Sequence, residues 1–374
     1  MTTVTVNRSS GSKRSNGISK FVTAAVTWLI FYLVYLLSQK TRCDFDNYEN
    51  SIMPQTASVA APKDNEEKHS SISGGATSSL SFPANEENNL FPGLVQSGDG
   101  WSMWDRKTAL SLDGGKCEWL KFKSLTGASA DMCVYPTIED KYVSGSIEVI
   151  GRFKDCDSLV KMWNQVTPRE DRLKPVSDYY FLEIGVNIGA CLIDVLMSTN
   201  ARIIGFEANP RNAAHATHTL MAQPKDIRDR VAFFPVGLGL VPSKGVIYEQ
   251  PNNRGNSVVN AVVAGGLPPI PIVLERLDAI LPPNSSIVVS AGSSSQLKLI
   301  KMDVQGFECN IMDGGPHIFE ASRAIKTELT EYFLKQQGCS STEMMSRLVK
   351  AGFPKNHDYG RKEKNNFDFE AIKS

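Results

Sequence analysis

Ten residues, Phe181–Ala190 (FLEIGVNIGA), constrain this chain more than any others. Tyr179, Tyr180, Phe181, Leu182 and Ile184 form a short apolar run, the pattern of a strand buried on both faces. The run closes in Glu183-x-Gly185-x-x-x-Gly189, with Asn187 inside the turn. Cys191, Leu192, Ile193, Val195, Leu196 and Met197 then follow at helical spacing. The stretch therefore predicts strand, glycine turn, helix. Gly185 removes a Cβ where the backbone must turn sharply and a ligand must come close. Gly189 lets the helix start pack near the strand and leaves its free N–H groups facing whatever sits above the sheet. In open α/β sheets that place is the ligand crevice.

The next strand is Arg202–Glu207 (RIIGFE), which ends on an acid. A carboxylate at a second strand tip, about 20 residues beyond a glycine loop, suits the two hydroxyls of a ribose. Asn209 and Pro210 supply an N-cap and a first helical residue. The unit predicts a nucleoside site. The dinucleotide fingerprint is G-x-G-x-x-G, whereas this loop reads E-x-G-x-x-x-G. An acid two residues ahead of the first glycine resembles the S-adenosylmethionine-dependent class I methyltransferases. In that resemblance the acid lies near the cofactor's ammonium or sulfonium region.

The charge balance of the 374-residue chain, 40 basic against 40 acidic, hides a split. Residues 1–42 carry six of the basic residues and no acid, which leaves 34 basic against 40 acidic, a net of −6. A folded part of that sign disfavours a nucleic-acid partner. Residues 21–37 (FVTAAVTWLIFYLVYLL) are 17 uncharged residues, short but sufficient for a membrane span. A cleaved signal peptide and an organelle leader are the alternatives; Ser38–Arg42 makes a poor cleavage site. Four basic residues precede the span and two follow it, which puts the N-terminus in the cytosol and the bulk across the membrane. The expected order is a basic cytosolic tail (1–20), an anchor (21–37), a flexible stem (38–96) and a small β-rich cap (97–178). An α/β domain (179–374) with helices on both faces of its sheet completes it. The stem is rich in Ser, Ala, Asn, Glu and Gly and cannot bury a core.

A lumenal location predicts disulfides among the seven cysteines. Cys117 with Cys133 is the favoured pair, and Cys156 with Cys339 a possible one. Cys191, on the first helix, and Cys309, after the fourth strand, are expected as buried thiols. No C-x-x-C occurs and the five histidines do not cluster with cysteines at zinc spacing, so no metal site is expected. Asn284-Ser285-Ser286, after two prolines, is a candidate glycan acceptor. In the cap, YVSGSIEVIG is read as a β piece, followed by a helix near 158–165. Further on, 231–236 is a third strand and 240–295 an inserted hairpin region. Residues 297–303 form a strand ending on Asp303, 306–315 a helix, and 324–330 a strand. An amphipathic helix (341–351) and an edge strand (367–372) complete the series.

Four blocks occur in one order: FLEIGVNIGA, IIGFEANP, LIKMDVQGFECNIMDGG and IKTELTEYFLKQQGCSSTEMMSRLVKAGF. They resemble the FkbM-type methyltransferases over about 179–353. The hallmark I-D-V-[EQ]-G-x-E stands here as Met302-Asp303-Val304-Gln305-Gly306-Phe307-Glu308, and Leu277-Asp278 matches a preceding L-D step. The resemblance implies a Rossmann-like class I fold with S-adenosylmethionine as cofactor. Glu183, Gly185, Asn187 and Gly189 would line its methionine half, Glu207 its ribose, and Asp303 the methyl-transfer region. Asp303 and Glu308 are the candidate general bases toward a hydroxyl acceptor, on a glycan or a small molecule. Two departures, Ala208 for the family's Pro and Pro235-Val236-Gly237 for N-x-A, leave the adenine contact unassigned.

Two rival enzyme classes have sequence support. A dehydrogenase would need a third glycine where Cys191 stands, and no Tyr has a Lys four residues on. A glycosyltransferase shares the anchor-and-stem layout, and Asp155-Cys156-Asp157 is a D-x-D, but it precedes the first core strand. A non-catalytic protein retaining the fold is the third possibility. Glu328 and Glu331, at the next strand tip, could touch an acceptor.

Overall fold

The computed structural model describes residues 90–105, 112, 114–261, 266–288, 295–355 and 366–374. The expected tail, anchor and most of the stem lie outside these residues. Among the described residues no helix is long and apolar enough to cross a membrane.

In chain order the strands are β1 (Ser97–Gly98), β2 (Trp101–Ser102), β3 (Glu118–Lys123), β4 (Ser129–Val134), β5 (Tyr180–Ile184), β6 (Arg202–Phe206) and β7 (Val231–Phe234). After them come β8 (Gly237–Gly239), β9 (Ser243–Gln250), β10 (Asn253–Val259), β11 (Ile270–Arg276), β12 (Leu297–Met302), β13 (Ala324–Thr330) and β14 (Asn366–Ile372). The helices are α1 (Val143–Ile150), α2 (Asp157–Val166), α3 (Ala190–Ser198), α4 (Pro210–Met221) and α5 (Lys225–Arg228). They continue as α6 (Leu277–Ile280), α7 (Glu308–Asp313), α8 (Pro316–Ala321), α9 (Glu331–Gln336) and α10 (Ser341–Lys350).

The central sheet runs β14-β13-β12-β5-β6-β7. All neighbours are parallel except β14, which pairs antiparallel with β13 at the edge. The chain winds outward from β5 through β6 to β7, then returns to the other side of β5 with β12. The strand order therefore reverses between β5 and β12, the switch point at which doubly wound sheets bind ligands. Strands β5, β7 and β12 are buried at every position, Glu183 of β5 and Lys298 and Lys301 of β12 included. One face packs Phe181, Ile203, Phe233 and Leu299 under Leu159 and Trp163 of α2 and Leu192 of α3. The other packs Leu182, Ile204, Ile300 and Met302 against Ile311, Phe319 and Leu348 of the later helices. The α/β expectation, with helices on both faces, holds.

A second sheet, β10-β9-β11-β8, occupies the expected insertion, with β8 parallel to β11 and the other pairs antiparallel. The helix expected over 306–315 is split: α7 ends at Asp313, and Gly314-Gly315 separate it from α8. In α10, Met344, Met345 and Leu348 are buried as expected, but Val349 is exposed.

The cap differs in one element. YVSGSIEVIG carries α1, not a strand. Asp140 Oδ2 accepts from the N–H and the hydroxyl of Ser144 at 2.8 and 2.7 Å, and Gly151, at φ +73°, closes the helix. Val143 and Ile147 share the buried face, while Val149 is 81% exposed. Local capping thus overrides a β-branched composition. The cap hairpin β3–β4 shares a core with the sheet helices, and residues 82–374 form one unit. Packed chain begins ahead of the expected stem boundary. Phe91 is buried against Tyr180, whose hydroxyl donates to the Leu90 carbonyl at 2.7 Å.

Cys117–Cys133 is a disulfide as expected. Cys191 and Cys309 are not thiols: Cys156 pairs with Cys191 and Cys309 with Cys339, at Cα separations of 5.0 and 6.5 Å. Helical amphipathicity places both cysteines indoors correctly. Only packing brings the turn before α2 onto the start of α3, and the segment before α10 onto α7.

Candidate active site

The glycine turn is shaped by the strand that arrives last. Gly185 has φ +85°, and a Cβ there would lie 2.0 Å from the Asp303 carbonyl oxygen. The close approach that requires glycine is therefore to the backbone beyond β12. Asn187 follows at φ 55° and Gly189 at φ +91°, where α3 begins. A Cβ on Gly189 would meet Ala216 of α4 at 3.4 Å, ordinary contact, so its backbone angle is the stricter constraint.

Glu207 leaves the tip of β6 and is pinned by both oxygens. The Asn187 N–H donates to Oε2 at 2.7 Å and the Asn209 N–H to Oε1 at 2.8 Å. Asn209 caps α4 by accepting from Arg211 N–H at 3.0 Å. Its amide also donates to Glu249 of β9 at 2.9 Å, and Arg211 and Arg254 reach the other oxygen of Glu249 at 2.9 and 2.6 Å. This buried network ties the second sheet to the tips of the first.

Between the two sheets lies a cleft of about 610 Å³ of non-atom space, partly open to solvent. Gly185, Asn187, Glu207 and Asp303 line it, and they converge from three strand tips across the switch point. Phe206, Ala208, Val236, Leu238 and Leu274 form an apolar wall. Gly255 of the β10 hairpin closes on Asn187, close enough that a Cβ would fall 2.7 Å from its amide nitrogen. Asn212, Gly255, Ser257 and Gln305 also line the cleft; the glycine-loop motif alone does not signal them.

Glu183, Gly189 and Glu308 do not line the cleft. Glu183 is fully buried on the α2–α3 face of the sheet, and neither carboxylate oxygen has a hydrogen-bond partner among the described residues. Its counter-charge is Lys301, on the neighbouring strand, at 3.5 Å from Oε1, which is long for a hydrogen bond. Burial pushes the Glu183 carboxyl up to about 7, against the attraction of Lys301. Glu207 is likewise raised to about 7 by burial, against its two backbone donors. Glu308 sits at the first position of α7 and turns back: its Oε1 accepts from Gly306 and Val304 N–H at 3.2 and 3.4 Å. Its second oxygen is buried with no hydrogen-bond partner among the described residues, and burial raises the carboxyl to about 8.

Asp303 is the acid that reaches the cleft at the switch point. Gln305, at φ 50°, donates its amide to Asp303 Oδ1 at 2.8 Å. Beyond it, Glu328 faces Asp303 from β13, and that charge, with burial, pushes the Glu328 carboxyl up. Asn366 donates to Glu328 at 2.8 Å. Glu331 accepts from Ser341 N–H at 2.8 Å and pairs with Lys335, so it belongs to the α9–α10 connection.

The D-x-D triplet lies in a 3₁₀ turn running into α2, not at a strand tip. Asp157 is paired with Arg152, and Cys156 is in a disulfide. Among the described residues no group of three or more His, Cys, Asp or Glu is placed to hold a metal ion.

No family model and no curated protein matches the chain. Solved structures with a similar trace include a precorrin-6y C5,15-methyltransferase from Geobacter metallireducens GS-15 (15% identity, 64% of this chain and all of that one, TM-score 0.31). A glycopeptide N-methyltransferase, MtfA, complexed with S-adenosyl-L-methionine matches at 10% identity over 58% of this chain and 86% of its own (TM-score 0.28). The METTL16 methyltransferase domain matches at 11% identity over 68% and 86% (TM-score 0.35). The residues present fit S-adenosylmethionine. Glu207 keeps free lone pairs for a ribose diol, the apolar wall suits a flat base, and Asp303 offers an anion toward a positively charged centre.

Proposed function

We propose that this chain is an S-adenosylmethionine-dependent O-methyltransferase of the FkbM type. Its acceptor is a hydroxyl, on a glycan or a small molecule. The observation that carries the reading is the convergence of Gly185, Asn187, Glu207 and Asp303 on one cleft at the strand-order switch. When bound, the cofactor supplies a methyl group on a sulfonium, which sulfur releases while keeping the bonding electron pair. Glu207 receives the ribose hydroxyls, and Asn187 and Asn209 hold it in place. The wall from Phe206 to Leu274 receives the base and excludes water. Asp303 accepts the acceptor's hydroxyl proton as the new C–O bond forms. Glu308 acts one step back, holding the turn that presents Asp303 and Gln305.

The chain's setting belongs to the same proposal. Residues 21–37 anchor it with the bulk on the lumenal side of the secretory route. Three disulfides support an oxidising compartment. Carboxylates at the tips of β12, β13 and β14 (Asp303, Glu328 and Asp368) suit a neutral polyhydroxyl acceptor better than phosphate.

Calorimetry on the purified residues 90–374 tests the cofactor. S-Adenosylmethionine and its demethylated product should each bind, and NAD should not. Tight NAD binding with no response to either methionine nucleoside would overturn the reading. Transfer of labelled methyl to extracted glycans, lipids and metabolites, followed by mass spectrometry, tests the acceptor.

A further inference from the structure

Immediately before the hallmark segment stands a residue to which neither motif nor family resemblance has given a task here: Lys301, two positions before Asp303. A lysine in the middle of a central parallel strand is unexpected, since burying an ammonium is costly unless it is paired. Lys301 is 8% exposed. Its ammonium donates to the Gly185 carbonyl at 3.0 Å and stands 3.5 Å from Glu183 Oε1 and 3.7 Å from Asp303 Oδ2. One cation thus touches the glycine turn, the acid under it and the acid at the transfer point.

The surroundings of Asp303 explain why a cation is needed. Glu183 of β5, Glu207 after β6, Glu308 of α7, Glu328 of β13 and Asp368 of β14 all interact electrostatically with it. Among the described residues, the cation within 4 Å of it is Lys301. Lys326, the next lysine across the sheet, is engaged with Glu370 and Asp368 at 3.2 and 3.8 Å. Wherever these neighbours ionise they repel the Asp303 carboxylate and favour its turning away. Lys301 stands against one oxygen, and the Gln305 amide holds the other.

We propose that Lys301 and Gln305 are positioning residues for methyl transfer, clamping the two oxygens of Asp303 so that it meets the acceptor hydroxyl charged and aligned. This rests on the reading of the cleft as a methyl-transfer site. Burial works against the charge of Lys301, but Asp303 and Glu183 outweigh it and hold the ammonium above its usual range. Gln305 adopts the left-handed backbone that carries its amide back over Asp303.

The test is the pH profile of turnover with the full chain, for Lys301→Met, Lys301→Arg and Gln305→Leu. Lys301→Met should lower kcat about tenfold or more at neutral pH and move the acid limb upward, a fraction of the 10²–10⁴-fold that a general base contributes. KM for S-adenosylmethionine should change less than about threefold, because Glu207 and the apolar wall are untouched. Lys301→Arg should restore the acid limb, and Gln305→Leu should lower kcat without moving it. If Lys301→Met does not fold, the double variant Lys301→Met/Glu183→Gln removes the unpaired buried acid and is assayed instead. The side-chain carboxyl ¹³C resonance of Asp303 gives a second readout. In the methionine variant it should be displaced toward the protonated position at neutral pH. A folded methionine variant with the parental acid limb and an unmoved resonance would overturn the proposal. If the parental chain neither binds the cofactor nor transfers methyl, the site reading fails, and the resonance alone then decides the role of Lys301.

Discussion

A Cβ placed on Gly185 would lie 2.0 Å from the carbonyl oxygen of Asp303. The Asp303 N–H, in turn, donates to the Ile184 carbonyl at 3.0 Å. The glycine turn and the hallmark segment, far apart in sequence, are thus built against each other backbone to backbone. Besides the ligand approach expected from the sequence, a side chain at Gly185 would therefore strike the Asp303 backbone.

Gly185→Val should therefore destabilise the domain itself, on the order of 3 kcal/mol, through backbone collision and a positive φ that L-residues avoid. Thermal melts without any ligand check this. A variant that melts like the parent yet fails to bind cofactor would restore the simpler view.

Asp303→Asn and Glu308→Gln should separate. Asp303 lines the cleft and Glu308 does not. Asp303→Asn should lower turnover by roughly 10²–10⁴-fold with cofactor affinity nearly intact. Glu308→Gln keeps an acceptor for the Gly306 and Val304 N–H groups, so turnover should stay within about threefold. Single-turnover rates measured beside binding constants distinguish the two. Equal losses in both variants would return Glu308 to the reacting centre.

The buried acids predict an inverted pH dependence for the ligand-free domain. Glu183 and Glu207 titrate at about 7 and Glu308 at about 8 in the fold, against an ordinary value of 4.5. The folded state thus holds protons that the unfolded chain has released. The stability these groups lend is full below about pH 4.5 and is lost as pH rises through 7 to 8. Melting temperature should fall between pH 5.5 and 8.5 by on the order of 5–10 °C. Glu308→Gln should recover about 2–4 °C at the upper end. Melts across that range are the measurement, and a flat profile in both proteins would contradict the assignment.

Asn284 is exposed on a turn, and Ser286 in the same sequon donates to the Pro92 carbonyl at 3.3 Å. A chain whose bulk is lumenal should carry a glycan there. Glycosidase treatment should then increase gel mobility, and Asn284→Gln should abolish the difference. Digestion of the domain by external protease in sealed microsomes would reverse the proposed orientation.

Much of this protein was determined by local chemistry that a sequence displays. Strands β5, β6 and β12 follow from mainly apolar runs that close on Gly185, Glu207 and Asp303, because a strand buried on both faces is built mostly of apolar residues. That Glu207 and Asp303 would line the cleft is legible because strand tips in a parallel sheet point to one edge. Alternation alone could not say that Glu183, inside its strand, would face away from the cleft and meet Lys301. That depends on β12 returning beside β5, a long-range pairing. The partners of Cys191 and Cys309, the helix at Val143–Ile150 and the turn-holding task of Glu308 were decided the same way. Each is set by a neighbour distant in sequence or by a cap outside the hydrophobic pattern, and local periodicity carries no record of either.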